Sequence, residues 1–123
     1  MSILGRFYFK LTDSKNLIGE FSNCNSNGNY TQSADLDPEY KQKPEDGKFS
    51  GQYYTTWHDD CNRHEAVLSK LEIKKKDECE NIFCLTWRDD KGSLRFRGEG
   101  MLCDGMLIGD YHDLPKEASS GTN

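Results

Sequence analysis

Hydrophobic and polar residues alternate along most of this chain with a period of two, the spacing of strands that bury one face and expose the other. Over 3–11, Ile3, Phe7, Phe9 and Leu11 fall on one side, and Arg6, Tyr8 and Lys10 on the other. The turn-forming run Asp13-Ser14-Lys15-Asn16 follows, and then Leu17, Gly19, Phe21 and Asn23 share a side opposite Ile18, Glu20 and Ser22, so the two segments form a hairpin. Further strand-like runs cover 47–57, 64–74, 80–88, 93–102 and 106–113, with a short one near 28–32. Their separators carry turn chemistry. Asp89-Asp90-Lys91-Gly92 is one break, and Asp104-Gly105 is the dipeptide favoured in two-residue type I′ hairpins. About eight strands at this regular spacing give an all-β fold, and the simplest arrangement is a small antiparallel up-and-down β-barrel.

One long interruption lies between residues 33 and 48, where Asp37 is placed to cap a short helical turn with Pro38 in its first position; the segment is a candidate lid. Beyond Asp113 the periodicity stops. Residues 1–113 therefore make a single barrel domain, and 114–123, ending Ser-Ser-Gly-Thr-Asn, form a tail too polar to stay ordered. A local repeat adds to this picture. Leu17-Ile18-Gly19-Glu20-Phe21 is echoed by Leu107-Ile108-Gly109-Asp110-Tyr111, and Gly51-Gln52-Tyr53 repeats the Gly-x-aromatic unit. Because i and i+2 share a strand face, each unit sets a glycine beside an inward ring, which is how the interior of a small, sharply coiled barrel is filled.

Composition narrows the functions. At 123 residues and 34% hydrophobic content the chain builds one core. Its apolar runs are far too short to cross a bilayer as a helix, so no membrane association and no export signal are expected. Lys+Arg 16 against Asp+Glu 21 leaves a net charge of -5, which repels a phosphate backbone and argues against nucleic acid as a partner. The 5 cysteines cannot all pair and suit reduced thiols in a cytoplasmic protein. Nothing in the sequence gives the oligomeric state.

Period two also places Asn23, Tyr53, Thr55, Trp57 and Trp87 on the faces of obvious core residues such as Phe21, Phe49 and Phe83. Polar groups facing a barrel interior must be satisfied by each other, by water or by a ligand. An eight-stranded interior is just wide enough for one small molecule. Two readings stay open: a pocket, or a filled interior with an internal polar network. His58-Asp59-Asp60-Cys61-Asn62-Arg63-His64 brings two imidazoles and a thiol into one loop, but lacks a fourth zinc ligand and fits a solvated hairpin tip, so no metal or other cofactor is expected. Glu20, Glu99 and Asp110 fall on the outward side, and Arg95 and Arg97 share the face of Glu99, which suits cross-strand charge pairing. No nucleophile and base can be paired, so the chain does not look like an enzyme.

Two segments resemble the avidin and streptavidin family. Leu17-Ile18-Gly19-Glu20-Phe21-Ser22-Asn23 is similar to that family's first strand, Leu-x-Gly-x-Trp-x-Asn, with Phe21 in place of the tryptophan. Gly47-Lys48-Phe49-Ser50-Gly51-Gln52-Tyr53-Tyr54-Thr55 is similar to its Gly-x-Phe-x-Gly-x-Tyr-x-Thr strand, and the order of Trp87, Phe96 with Gly98, and Tyr111 follows its later strands. The resemblance spans roughly residues 17–113. It implies an eight-stranded up-and-down barrel that binds biotin in its open end, with Asn23, Tyr53 and Thr55 at ligand hydrogen-bonding positions and Trp87, Phe96 and Tyr111 at the aromatic walls. Nothing after Asp113 resembles the family's final strand, and the tryptophan that covers a neighbouring subunit's ligand has no counterpart. The strand over 3–11 is placed to fill that vacancy, as in a circular permutation. The expectation is thus a non-enzymatic barrel, avidin-like or lipocalin-like, that binds a small-molecule ligand through Asn23, Tyr53, Thr55, Trp57, Trp87, Phe96 and Tyr111. The alternative is a protein-interaction or inhibitor module that uses loops 33–48 and 58–64 and keeps its barrel filled.

Overall fold

The computed structural model describes residues 4–24, 28–41, 47–57 and 67–114. It is a closed barrel of eight antiparallel strands in simple up-and-down order: β1 (Leu4–Leu11), β2 (Leu17–Asn23), β3 (Tyr30–Leu36), β4 (Gly51–Trp57), β5 (Val67–Lys75), β6 (Ile82–Asp89), β7 (Leu94–Cys103) and β8 (Met106–Asp113). The alternation read from the sequence survives as burial. Phe7 and Phe9 are buried in β1 between outward Arg6 and Lys10, and Phe83, Leu85 and Trp87 are buried in β6.

Closure comes from β1, which pairs with β2 on one side and β8 on the other, Phe7 lying opposite both Phe21 and Gly109. Every flank of every strand is thereby paired, which removes the open edge on which further strands could add. The turns are built as their residues require. Asp104 and Gly105 both take positive φ, 55° and 80°, and connect β7 to β8 in two residues, the backbone of a type I′ turn. Between β6 and β7, Asp89 Oδ1 accepts hydrogen bonds from the Lys91 and Ser93 amides, both at 2.9 Å. Those bonds, the Ser93 amide first, hold the Asp89 carboxyl below its usual range.

The structure departs from the sequence reading in four places. The run near 28–32 is a full strand that continues to Leu36, because Gln32 and Ala34 are buried between outward Thr31, Ser33 and Asp35. Asp37 does cap, accepting the Glu39 amide at 2.9 Å, but it closes a turn with Tyr40 and no helix forms there. The segment 47–50 is a turn, with Gly47 at φ 84°, and β4 starts at Gly51. On the outer face Glu99 pairs with Lys76 at 3.1 Å, and Arg95 lies 3.8 Å from Asp89, so neither arginine of β7 pairs with Glu99. The rest of the candidate lid (42–46), the loop 58–64 with its histidines and Cys61, and the tail from 115 onward lie outside the described residues. No helix among the described residues is long and apolar enough to cross a membrane.

Candidate functional site

The interior divides into two halves along the barrel axis. Towards the β1–β2 and β7–β8 turns it is filled by Phe9, Leu17, Leu71, Ile73, Phe83, Leu85 and Leu107, all at most 1% exposed. Tyr53 belongs to this half. Its hydroxyl donates to the Phe49 carbonyl at 2.8 Å, and burial pushes the phenol well above the usual tyrosine range. Outside this end, a depression of about 780 Å³ is floored by Phe49 and Phe83 and flanked by Lys15, Lys75, Asp13 and Glu80.

Towards the other end, where β2, β4, β6 and β8 finish, the inward side chains fall into an aromatic side and a polar side. The aromatic side comes from β1, β2, β6, β7 and β8. Trp87 meets Phe7 edge-on at 5.7 Å and Tyr111 at 5.7 Å, Tyr111 meets Phe96 edge-on at 5.6 Å, and Phe21 stands 6.4 Å from Tyr111. Edge-to-face contacts at these separations are the favoured geometry for paired rings. Two glycines make room for them. A Cβ on Gly5 would overlap the edge of the Tyr111 ring, and one on Gly98 would crowd the Trp87 ring at 3.2 Å. Asn23 Nδ2 donates to the Tyr111 hydroxyl at 3.1 Å, tying the end of β2 to β8. Burial raises the Tyr111 phenol above its ordinary value, and the Asn23 hydrogen bond partly offsets this.

The polar side comes from β3, β4 and β5. Gln32 Nε2 donates to Thr55 Oγ1 at 2.8 Å, and Thr55 Oγ1 donates to the Ser33 carbonyl at 2.7 Å. Thr55 lies opposite Ser69 in the β4–β5 register. Ser69 is 2% exposed, and its Oγ is buried with no hydrogen-bond partner among the described residues. Such a group costs the fold roughly 1–3 kcal/mol, so an unpartnered hydroxyl in a row of satisfied ones calls for an explanation.

Of the seven residues singled out from the sequence, the structure brings Asn23, Thr55, Trp87, Phe96 and Tyr111 to one end of the interior and leaves Tyr53 facing the other. Trp57 ends β4 opposite Gln32 and Val67. Its side chain lies outside the described residues. Sequence reasoning misses Gln32 and Ser69. The signal for both is parity, since Ser69 sits two residues before Leu71 and Gln32 two before Ala34, on faces that bury their neighbours. The inward side chains named at this end are uncharged, while Asp89 and Asp113, the register partners of Ser69 and Phe96, bring carboxylates to its rim, so the site offers amide, hydroxyl and phenol groups beside tilted and edge-to-face rings. Among the described residues no group of histidine, cysteine or carboxylate side chains is arranged to hold a metal ion. No family model matches this chain, and comparisons with curated proteins and with solved structures find no match either.

Proposed function

We propose that this barrel is a binding protein for a small molecule whose buried part is uncharged, held between the Trp87–Tyr111–Phe96 rings and the Gln32–Thr55–Ser69 row. The observation that carries the reading is the buried Ser69 Oγ, which has no hydrogen-bond partner among the described residues and lies across the β4–β5 register from a threonine whose hydroxyl is fully engaged. A ligand group that hydrogen-bonds Ser69 removes a standing cost, and the aromatic side supplies apolar contact for the rest of the molecule. The resemblance to the avidin family supports the same end of the barrel through Asn23, Thr55, Trp87, Phe96 and Tyr111. It does not extend to Tyr53, whose hydroxyl is used within the chain.

The test is a screen of small molecules, biotin included, read by tryptophan fluorescence and by the shift in melting temperature, since a ligand that binds only the folded state raises it. A hit is then titrated against Ser69→Ala. The reading expects affinity to fall about tenfold with the variant no less stable than the parent, as befits one lost hydrogen bond to a buried group. A silent library, or a ligand that binds Ser69→Ala unchanged, overturns it.

A further inference from the structure

Five large hydrophobic side chains stand exposed among the described residues, and four of them, Leu4, Ile18, Met101 and Ile108, lie on one arc of the outer surface formed by β7, β8, β1 and β2. The register makes the arc continuous. Met101 lies beside Ile108 and Ile108 beside Tyr8, and in the adjacent row Met106 lies beside Lys10 and Lys10 beside Ile18. Met101 is 56% exposed, Ile18 51%, Ile108 40% and Leu4 63%, so each of the four strands of the arc presents one large apolar side chain to solvent.

The charges on this arc show an order of their own. Arg6 on β1 and Asp110 on β8 are register partners and both exposed, yet among the described residues neither forms an ion pair or a side-chain hydrogen bond. The acid sits on the β8 side of the seam and the base on the β1 side. A two-fold rotation about an axis lying along that seam exchanges the two sides. It sets Asp110 of one copy against Arg6 of another, twice, and Ile108 of one against Tyr8 of the other. Such self-complementarity is the requirement for an isologous contact. The charges of the arc, Arg6, Lys10, Arg95 and Arg97 against Glu20, Glu99 and Asp110, come close to cancelling, so the arc selects neither an acidic nor a basic partner.

We propose that the β7–β8–β1–β2 face docks a second copy of this chain, with the two-fold axis along the β8–β1 seam and Asp110 of each copy paired with Arg6 of the other. The face is turned away from the interior, so the proposal stands or falls independently of ligand binding.

The experiment is sedimentation over a range from low to high micromolar protein. The unmodified chain should pass from monomer to dimer, and Arg6→Glu and Asp110→Arg should each raise the dissociation constant at least about a hundredfold, because each places two pairs of like charges in the contact. Mixed in equal amounts, the two variants should dimerise again, since the introduced glutamate of one then meets the introduced arginine of the other, and the native Arg6 and Asp110 meet at the second pair of the same heterodimer. The recovery also shows that both variants are folded. A reading that needs no substitution is peroxide oxidation of Met101, which should slow as the unmodified chain is concentrated. A chain that stays monomeric over the whole range, variants that dimerise as the parent does, or a mixture that remains monomeric would each overturn the proposal.

Discussion

Ser69 and Tyr53 show opposite ways of burying a hydroxyl. Ser69 is buried with no hydrogen-bond partner among the described residues, so Ser69→Ala should stabilise the ligand-free chain, by about 1 kcal/mol, a gain readable as a raised midpoint in urea unfolding. Tyr53 donates to the Phe49 carbonyl, and Tyr53→Phe should cost about 1 kcal/mol at neutral pH. Its burial has a consequence for pH as well. The folded-state phenol is raised above the unfolded value of about 10, so the folded chain keeps a proton that the unfolded chain gives up. Tyr53 and Tyr111 both contribute stability that is complete below pH 10 and lost as pH rises beyond it. Thermal melts between pH 8 and pH 11, as rough bounds set by that phenol value, should show stability falling at the alkaline end, and falling less steeply in Tyr53→Phe.

At the scale of strands and turns, the glycines of β2, β7 and β8 are needed for close passage of neighbouring backbones. A methyl group at Gly109 would overlap the Glu99 carbonyl oxygen, and one at Gly19 would overlap that of Tyr8. Backbone cannot swing aside as a side chain can, so Gly109→Ala should destabilise the fold by roughly 2 kcal/mol or more, measured by chemical unfolding. Gly92 is the contrast: it has open space around it and a φ of 87°, so alanine there should cost only about 1 kcal/mol. These elements are largely legible in the sequence, because Phe7, Phe9, Phe83 and Leu85 announce the buried side and Asp104-Gly105 announces the turn. β3 is the weak point. Its inward residues Gln32 and Ala34 are neither β-branched nor strongly apolar, so their burial follows from pairing with β2 and β4 and not from local preference. The same blindness hides the polar side of the site. A serine and a glutamine on inward parity look like any surface residues until the neighbouring strands enclose them, whereas Trp87 and Tyr111 stand out as large rings. The direction of the Tyr53 hydroxyl is beyond reach, since parity says that a side chain points inward but not towards which end.

For the whole molecule, closure depends on contacts between the two ends of the described chain. Without residues 1–11, β2 and β8 would each present an unpaired flank lined by Ile18, Glu20, Ile108 and Asp110. A chain lacking that segment should aggregate at concentrations where the full chain stays clear by light scattering, and a synthetic peptide of the segment should restore clarity by adding itself between the exposed flanks. The β1–β8 pairing also governs the order of events during synthesis. Hairpins can zip as each emerges from the ribosome, but the first strand waits for the last before its second flank is covered. The half-made barrel is therefore a curved ribbon with two sticky margins, and it becomes a cylinder only when translation of β8 is complete. Among the described strands β1–β8 is the one pairing that joins strands distant in sequence, so ring closure carries the largest loop-closure cost of any pairing in the barrel.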